Sequence, residues 1–399
     1  MDLIRWRAEF PTAQDCTYLV SHSLGAMPRR ARQYLARFAE EWTTRGVRAW
    51  AEGWWDLGRA TGDLLAPTLG VAAGTISMHQ NVSVAQAIIA SCYRFDGPRR
   101  RIVLSALDFP TNFYVFEGFR RYGAEIVTVP SGDPTRVDTD RLLDAIDERT
   151  ALVPFSLVLF KSAAIQDAEA IVSRAHAVGA HVIADVYQAA GTLPLRLGAL
   201  GVEYAVGGSV KWLCGGPGAG YLYVRPDLAP SLEPAVTGWA AHRRPFLFEI
   251  GPNDFADAPE RFQSGTPNVP ALFSARAGYE IVAEIGVEAI REHSLRLTRR
   301  IIDHAATRGY RVNTPLEDDR RGGTVTIDVD GAEVIAPELL RRNVIVDYRP
   351  GAGIRMAPHF YTAADDVDRA LAVLDGLVEE RARDAATASR GPAFGAKPM

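Results

Sequence analysis

Apolar and polar positions change rhythm along this chain. From about residue 63 onward, short runs rich in branched and aromatic residues recur: RIVLS (101–105), EIVTV (125–129), ALVPFSLV (151–158), HVIADV (181–186) and GYLYV (220–224). Continuous apolar runs of this length are the mark of strands covered on both faces. Between them lie stretches with helical spacing, such as TNFYVFEGFRRYG (111–123) and DAEAIVSRAHAVG (167–179). Strands alternating with helices predict an α/β fold with a mainly parallel sheet between helical layers.

Near Pro267 the rhythm changes. A long helix is predicted from about Val269 to Arg308, with Gly309 as its C-cap. After it come TVTIDV (324–329), a helix near Pro337–Arg342, VIVDYR (344–349) and a last helix near Ala364–Asp384. The pattern divides the chain into an N-terminal segment (1–40), a large domain (41–268), a smaller α+β C-terminal domain (269–384) and a tail (385–399). That tail is rich in Ala, Gly, Ser and Pro and is expected to be mobile. No internal repeat is visible.

Composition narrows the function classes. A net charge of −4 over 399 residues gives no electrostatic footprint for nucleic acid. No apolar run reaches the roughly 18–20 residues of a membrane span. MDLIRWRAEF lacks the apolar core of a signal peptide, and Cys16, Cys92 and Cys214 have neither disulfide nor metal-ligand spacing, so a reducing cytoplasm is expected and no metal site. Lysine occurs only at Lys161, Lys211 and Lys397; every other basic residue apart from histidine is Arg.

With three lysines, the candidates for amine chemistry are few. Lys211 lies in GGSVKWLCGGPGAGYLYV (207–224), preceded by small residues and followed by a Gly/Pro turn and a strand. Covalent catalysis on amino acids needs such an amine, desolvated and held still, to form an imine with an aldehyde cofactor. A lysine in an isolated turn is ordinarily a solvated surface residue, so the context decides. Upstream, in HVIADVYQAAG (181–191), a strand ends in Asp185, about one βαβ step away. An Asp there either caps the next turn or pairs with a cofactor's pyridine nitrogen, keeping the ring protonated and able to accept electrons. Both residues at carboxyl ends of strands in one open sheet favour the second role.

Other segments fit the same chemistry. In DFPTNFY (108–114), Phe109 is either a core residue or a ring that stacks on the cofactor. HQNVSVAQAI (79–88) places Gln80, Asn81 and Ser83 before a helix, as a plain N-cap or as a phosphate site on backbone N–H groups. GIRMAPHFYT (353–362) puts Arg355 at a strand end, where it is either solvated or a fork for a substrate carboxylate.

Assembled in this order, the segments resemble the kynureninase-like branch of the class V aminotransferases, pyridoxal 5'-phosphate (PLP) enzymes of fold type I, over about residues 15–380. YLVSHSLGAMP (18–28) is similar to that group's Y-L-x-x-x-S-L-G-x-x-P opening, and EWTTRGVRAWAEGWWDL (41–57) to its Trp-rich segment. DFPTNFY, DVYQAAG, GSVKWLCGGPG, RFQSGTPNVP and the Arg355 segment follow in the group's order. The resemblance implies that Lys211 holds PLP and shuttles protons, Asp185 pairs with the ring nitrogen and Phe109 stacks on the ring. It implies phosphate binding by Asn81 and Ser209 with help from Gln80 and Trp239, and by Thr266 toward a neighbouring subunit in a homodimer. Arg355 would hold the substrate α-carboxylate, and Lys161 falls where the group carries a basic residue.

Three positions depart from the kynureninase pattern: Asn112 stands where Asp is usual, Gln188 where His is usual, and Val210 where Tyr is usual. Gln188 resembles instead the residue of the cysteine desulfurase branch, yet no cysteine follows Cys214 to act as that branch's nucleophile. The expected substrate is therefore a small-molecule amino acid, with a cysteine S-conjugate undergoing C–S β-elimination as the leading expectation. Relatives of this frame act on cysteine-conjugated lincosamide precursors in antibiotic biosynthesis. Decarboxylation coupled to oxidative deamination, giving an aldehyde, is the first alternative; kynurenine hydrolysis, transamination and a non-catalytic subunit are others.

Overall fold

The computed structural model describes residues 3–389. Its centre is a seven-stranded sheet in the order Ile76–His79, Gly220–Val224, Tyr204–Gly208, His181–Asp185, Thr150–Ser156, Arg101–Ser105, Glu125–Val129. Five neighbouring strands pair in parallel from Tyr204–Gly208 to Glu125–Val129. Gly220–Val224 runs antiparallel to both of its neighbours. The fold expected from the alternating pattern, a mainly parallel α/β sheet, is present. RIVLS, EIVTV and GYLYV coincide with strands to the residue.

The sheet is covered on both faces. One hydrophobic cluster includes Val103, Val153, Val182, Ala184 and Tyr221 with helices at either end of the chain, and the other includes Ile102, Leu152, Ile183, Val206 and Leu222. Alternation along single strands therefore feeds two cores, as in any sheet buried on both sides.

The C-terminal part carries a four-stranded antiparallel sheet, ordered Asp347–Arg349, Gly353–Met356, Val325–Asp328, Arg311–Val312. It has its own cluster, which includes Leu297, Ile301, Ile327, Ile354 and Leu374 and also takes in Leu19. Helix Val269–Ile285, at the start of the region assigned above to the small domain, packs its buried face into the large cluster through Leu272, Ala275, Tyr279 and Val282.

Four elements differ from the sequence pattern. The single helix expected over 269–308 is two, Val269–Ile285 and Val287–Arg308, because Gly286 takes a φ of 86° that ends the first. VIVDYR is two short strands: Val344–Ile345 joins Thr17–Tyr18 while Asp347–Arg349 joins the small sheet, with Val346 buried at the switch. The helix expected from Pro337 begins at Ala332, just after the left-handed Gly331. The last helix, Ala364–Ser389, extends into the stretch expected as a tail. Residues 390–399, with Lys397, lie outside the described residues. No helix among the described residues is long and apolar enough to cross a membrane.

Candidate active site

Three parallel strands end at one cavity. Ser156 closes Thr150–Ser156, Asp185 closes His181–Asp185, and Lys211 lies in the turn after Tyr204–Gly208. The cavity measures about 170 Å³ and is lined by Val82, Phe109, Thr111, Ser156, Val158, Phe160, Asp185, Tyr187, Gln188 and Lys211. Four residues singled out from sequence, Phe109, Asp185, Gln188 and Lys211, thus share one wall.

The turn bearing Lys211 is held by close backbone approaches. Gly25 donates its N–H to Val210 O at 2.8 Å, and a Cβ on Gly25 would lie 2.1 Å from the Lys211 carbonyl. From the other side, a Cβ on Gly278 would lie 2.0 Å from Leu213 O. Both positions need glycine for lack of room. The SLG motif and helix Val269–Ile285 therefore grip the turn.

Lys211 Nζ sits 4.2 Å from the centroid of the Tyr187 ring and 5.5 Å from that of Phe109. Burial lowers its pKa from 10.5 to about 8, against the attraction of Asp185; Arg355 and Arg349 push the same way as burial. A lysine so placed is partly neutral near neutral pH, which an amine nucleophile requires. Burial raises the pKa of Asp185, while the Tyr187 N–H, 2.9 Å away, and Lys211 pull it back.

Asp108 is buried behind this wall. Its carboxylate accepts from Ser105 N at 3.0 Å and Ser156 N at 2.7 Å, which sets the turn leading to Phe109. Phe109 is 41% exposed and meets Phe160 edge to face at 5.2 Å, leaving ring surface free toward the cavity. Gln188 spends its amide on protein, accepting from Trp212 Nε1 at 3.0 Å and donating to His22 O at 3.1 Å.

The remaining expected residues are spread around this centre. Asn81 caps helix Val82–Ser91, its Oδ1 accepting from Val84 N at 3.0 Å, one residue from Val82 on the cavity wall. Gln80 lines a second cavity beside Gly265 and Pro267, the residues flanking exposed Thr266. The hydroxyl of Ser209 is taken by Ala219 O at 2.7 Å and Tyr279 OH at 2.6 Å. Trp239 lies away from the main cavity, its ring centroid 5.1 Å from that of Trp55. Lys161 stays next to the wall residue Phe160, its Nζ 5.9 Å from the Phe160 ring. Asn112 is buried, accepting from Gln86 Nε2 at 2.7 Å, and its own Nδ2 is unpartnered. Val210 gives its carbonyl to Gly25.

Arg355 is 2% exposed and already holds a carboxylate. Its Nε and Nη2 reach Asp347 at 2.8 and 2.6 Å, and its Nη1 reaches Phe160 O at 2.5 Å. His22, Tyr187, Ser156 and Asp347 were not singled out from sequence. Tyr187 had a signal, standing between Asp185 and Gln188. Asp347 had one too, eight residues before Arg355 across the turn residues PGAG.

The wall suits a polar aromatic aldehyde. Lys211 offers the amine and Asp185 a buried carboxylate, while Ser156 puts a buried hydroxyl on the same wall. The N-terminus of helix Val82–Ser91 supplies free N–H groups for a phosphate beside Val82.

Known proteins resemble this chain over most of its length. The aminotransferase class-V family model matches residues 59–356. A kynureninase from Deinococcus radiodurans is 32% identical over 393 residues, covering 94% of this chain and 93% of that protein. One from Bacillus anthracis is 29% identical over 396 residues, covering 95% and 92%. Among solved structures, a cysteine desulfurase from Thermococcus onnurineus NA1 superposes with a TM-score of 0.84 at 19% identity, over 94% of this chain and 98% of that one.

Proposed function

Because the chain belongs to the class V aminotransferase family, we propose that it breaks the C–S bond of a cysteine S-conjugate by β-elimination. It is a PLP-dependent enzyme acting on amino acids; the bond and the leaving group are the proposal. When bound, PLP supplies an aldehyde for the substrate amino group and an electron-withdrawing ring that weakens the bonds at Cα. Lys211 holds the cofactor and then, as a neutral amine, takes the proton from Cα. Asp185 would keep the proton on the ring nitrogen, its ionised form favoured against burial by the Tyr187 N–H and by Lys211. Arg355 orients the α-carboxylate, so that the Cα–H bond faces Lys211.

The observation that carries the reading is the shortage of acid–base groups. Of the ten residues lining the cavity, Lys211 is the one amine and Asp185 the one carboxylate, which this reading assigns to the ring nitrogen; Gln188 does not titrate, and burial raises the Tyr187 phenol well above its ordinary value. A thiolate, with an ordinary thiol pKa of about 8.5, departs from Cβ without a strong acid. Elimination thus needs one base, whereas hydrolysis at a β-carbonyl also needs a group that activates water. Transfer of substrate sulfur to the enzyme needs a nucleophilic thiol, and buried Cys214, raised well above its ordinary value, is unsuited to that role.

The balanced outcome is free thiol, pyruvate and ammonia from one conjugate and one water. Mass spectrometry of products after incubating holoenzyme with S-benzyl-L-cysteine, with and without oxygen, tests this. Benzyl thiol and pyruvate in both atmospheres support it. An oxygen-dependent aldehyde with CO2 establishes the oxidative alternative instead, and anthranilate with alanine from a parallel L-kynurenine incubation establishes kynurenine hydrolysis.

A further inference from the structure

We propose that Asp347 is a positioning residue: it clamps one edge of the Arg355 guanidinium so that the end of the group is presented to the substrate α-carboxylate. The inference rests on Arg355 being the carboxylate holder.

Asp347 and Arg355 are directly opposed on antiparallel strands. Their two hydrogen bonds use the Nε–Nη2 edge. Phe160 O takes a third N–H, on Nη1. A guanidinium has five, so one hydrogen remains on Nη1 and one on Nη2. Those two atoms form the second fork that a carboxylate can occupy bidentately. Asp347 is no loose latch. His22 Nε2 lies 3.0 Å from its Oδ1, and Arg349 Nη2 lies 3.0 Å from its Oδ2. Because an ionised carboxylate only accepts, His22 carries its hydrogen on Nε2.

The cluster is tied to the cavity twice. Phe160, bonded to Arg355, and Gln188, bonded to the carbonyl of His22, both line the wall. Two guanidiniums, Arg355 and Arg349, face the single carboxylate of Asp347, so the cluster carries an excess of positive charge that suits a substrate carboxylate. Loss of Asp347 would free the Nε–Nη2 edge and leave Phe160 O as the remaining hydrogen bond on the guanidinium, too little to fix its plane.

The test titrates holoenzyme with L-alanine and with L-alaninamide, following the cofactor absorbance. The wild type is expected to prefer alanine. Asp347→Asn is expected to lose about tenfold or more of that preference while alaninamide affinity is retained, as for a lost charge-assisted fork. Asp347→Ser carries the same comparison should the amide disturb the hairpin, and an unchanged cofactor band and circular dichroism show an intact site. Arg355→Gln separates the two claims. If it keeps the preference, Arg355 is not the carboxylate holder. If it loses the preference while both Asp347 variants keep it, the positioning role fails and the role of Arg355 stands.

Discussion

Lys211 is an amine kept where its charge is disfavoured, and this has a consequence for stability as well as chemistry. Its pKa in the folded chain is about 8, against 10.5 for an ordinary lysine. Between those values the unfolded chain binds one proton more at this residue than the folded one, so stability contributed by the site rises with pH through that window. The change across it is roughly 3 kcal/mol. Urea unfolding of cofactor-free wild type and Lys211→Met from pH 8 to 10.5 should show the wild type gaining on the variant by about that amount. A constant difference would mean that the amine is not buried as described. The pair we propose as catalytic was legible because its residues sit in strand-end contexts, Asp185 after HVIA and Lys211 after GGSV. Asp347 was hidden because its meaning depends on hairpin register: only the pairing of Asp347 with Arg355 converts a surface-looking acid into a clamp. The signal at Tyr187, its place between Asp185 and Gln188, is weak for a plainer reason, since an aromatic beside a strand is usually core.

At the scale of elements, helix Val269–Ile285 does more than cover the sheet. Gly278 faces the carbonyl of Leu213, and that contact sets how closely the helix approaches the lysine turn. Replacing an interior helical Gly by Ala normally stabilises by up to about 1 kcal/mol. At Gly278 the added carbon would lie 2.0 Å from a backbone oxygen, and the clash should reverse the sign. Gly278→Ala is expected to destabilise by about 2 kcal/mol and to weaken cofactor retention, as overpacking of a tight interior does. Gly376, in helix Ala364–Ser389 with open space around it, provides the control and should give the ordinary small gain. Equal effects at both positions, read from thermal unfolding, would remove the argument for a gripped turn. Strands such as RIVLS and GYLYV were legible because runs buried on both faces stay apolar throughout. The break at Gly286 was less so, since the apolar spacing continues through it and a single φ ends the helix.

On the scale of the whole molecule, the site exists only because distant segments meet. SLG near the N-terminus grips the lysine turn, DFP supplies Phe109, DVYQ supplies Asp185, and the small antiparallel sheet brings Arg355 against Phe160. Two bodies are joined here, and we propose that their division runs within Val287–Arg308: Ile290 packs in the large cluster and Leu297 in the small one. Sequence periodicity marks where elements change style, at Pro267; it does not show which core a helix joins. We propose that these segments converge on one base for Cα, Lys211, and that proposal can be tested without knowing the leaving group. Holoenzyme should be incubated with L-alanine in D2O and the Cα proton followed by NMR, for wild type and Lys211→Ala reconstituted with PLP. Deuterium should enter Cα with the wild type and not detectably with the variant. Exchange in Lys211→Ala at the wild-type rate would contradict the assignment of Lys211 as the base.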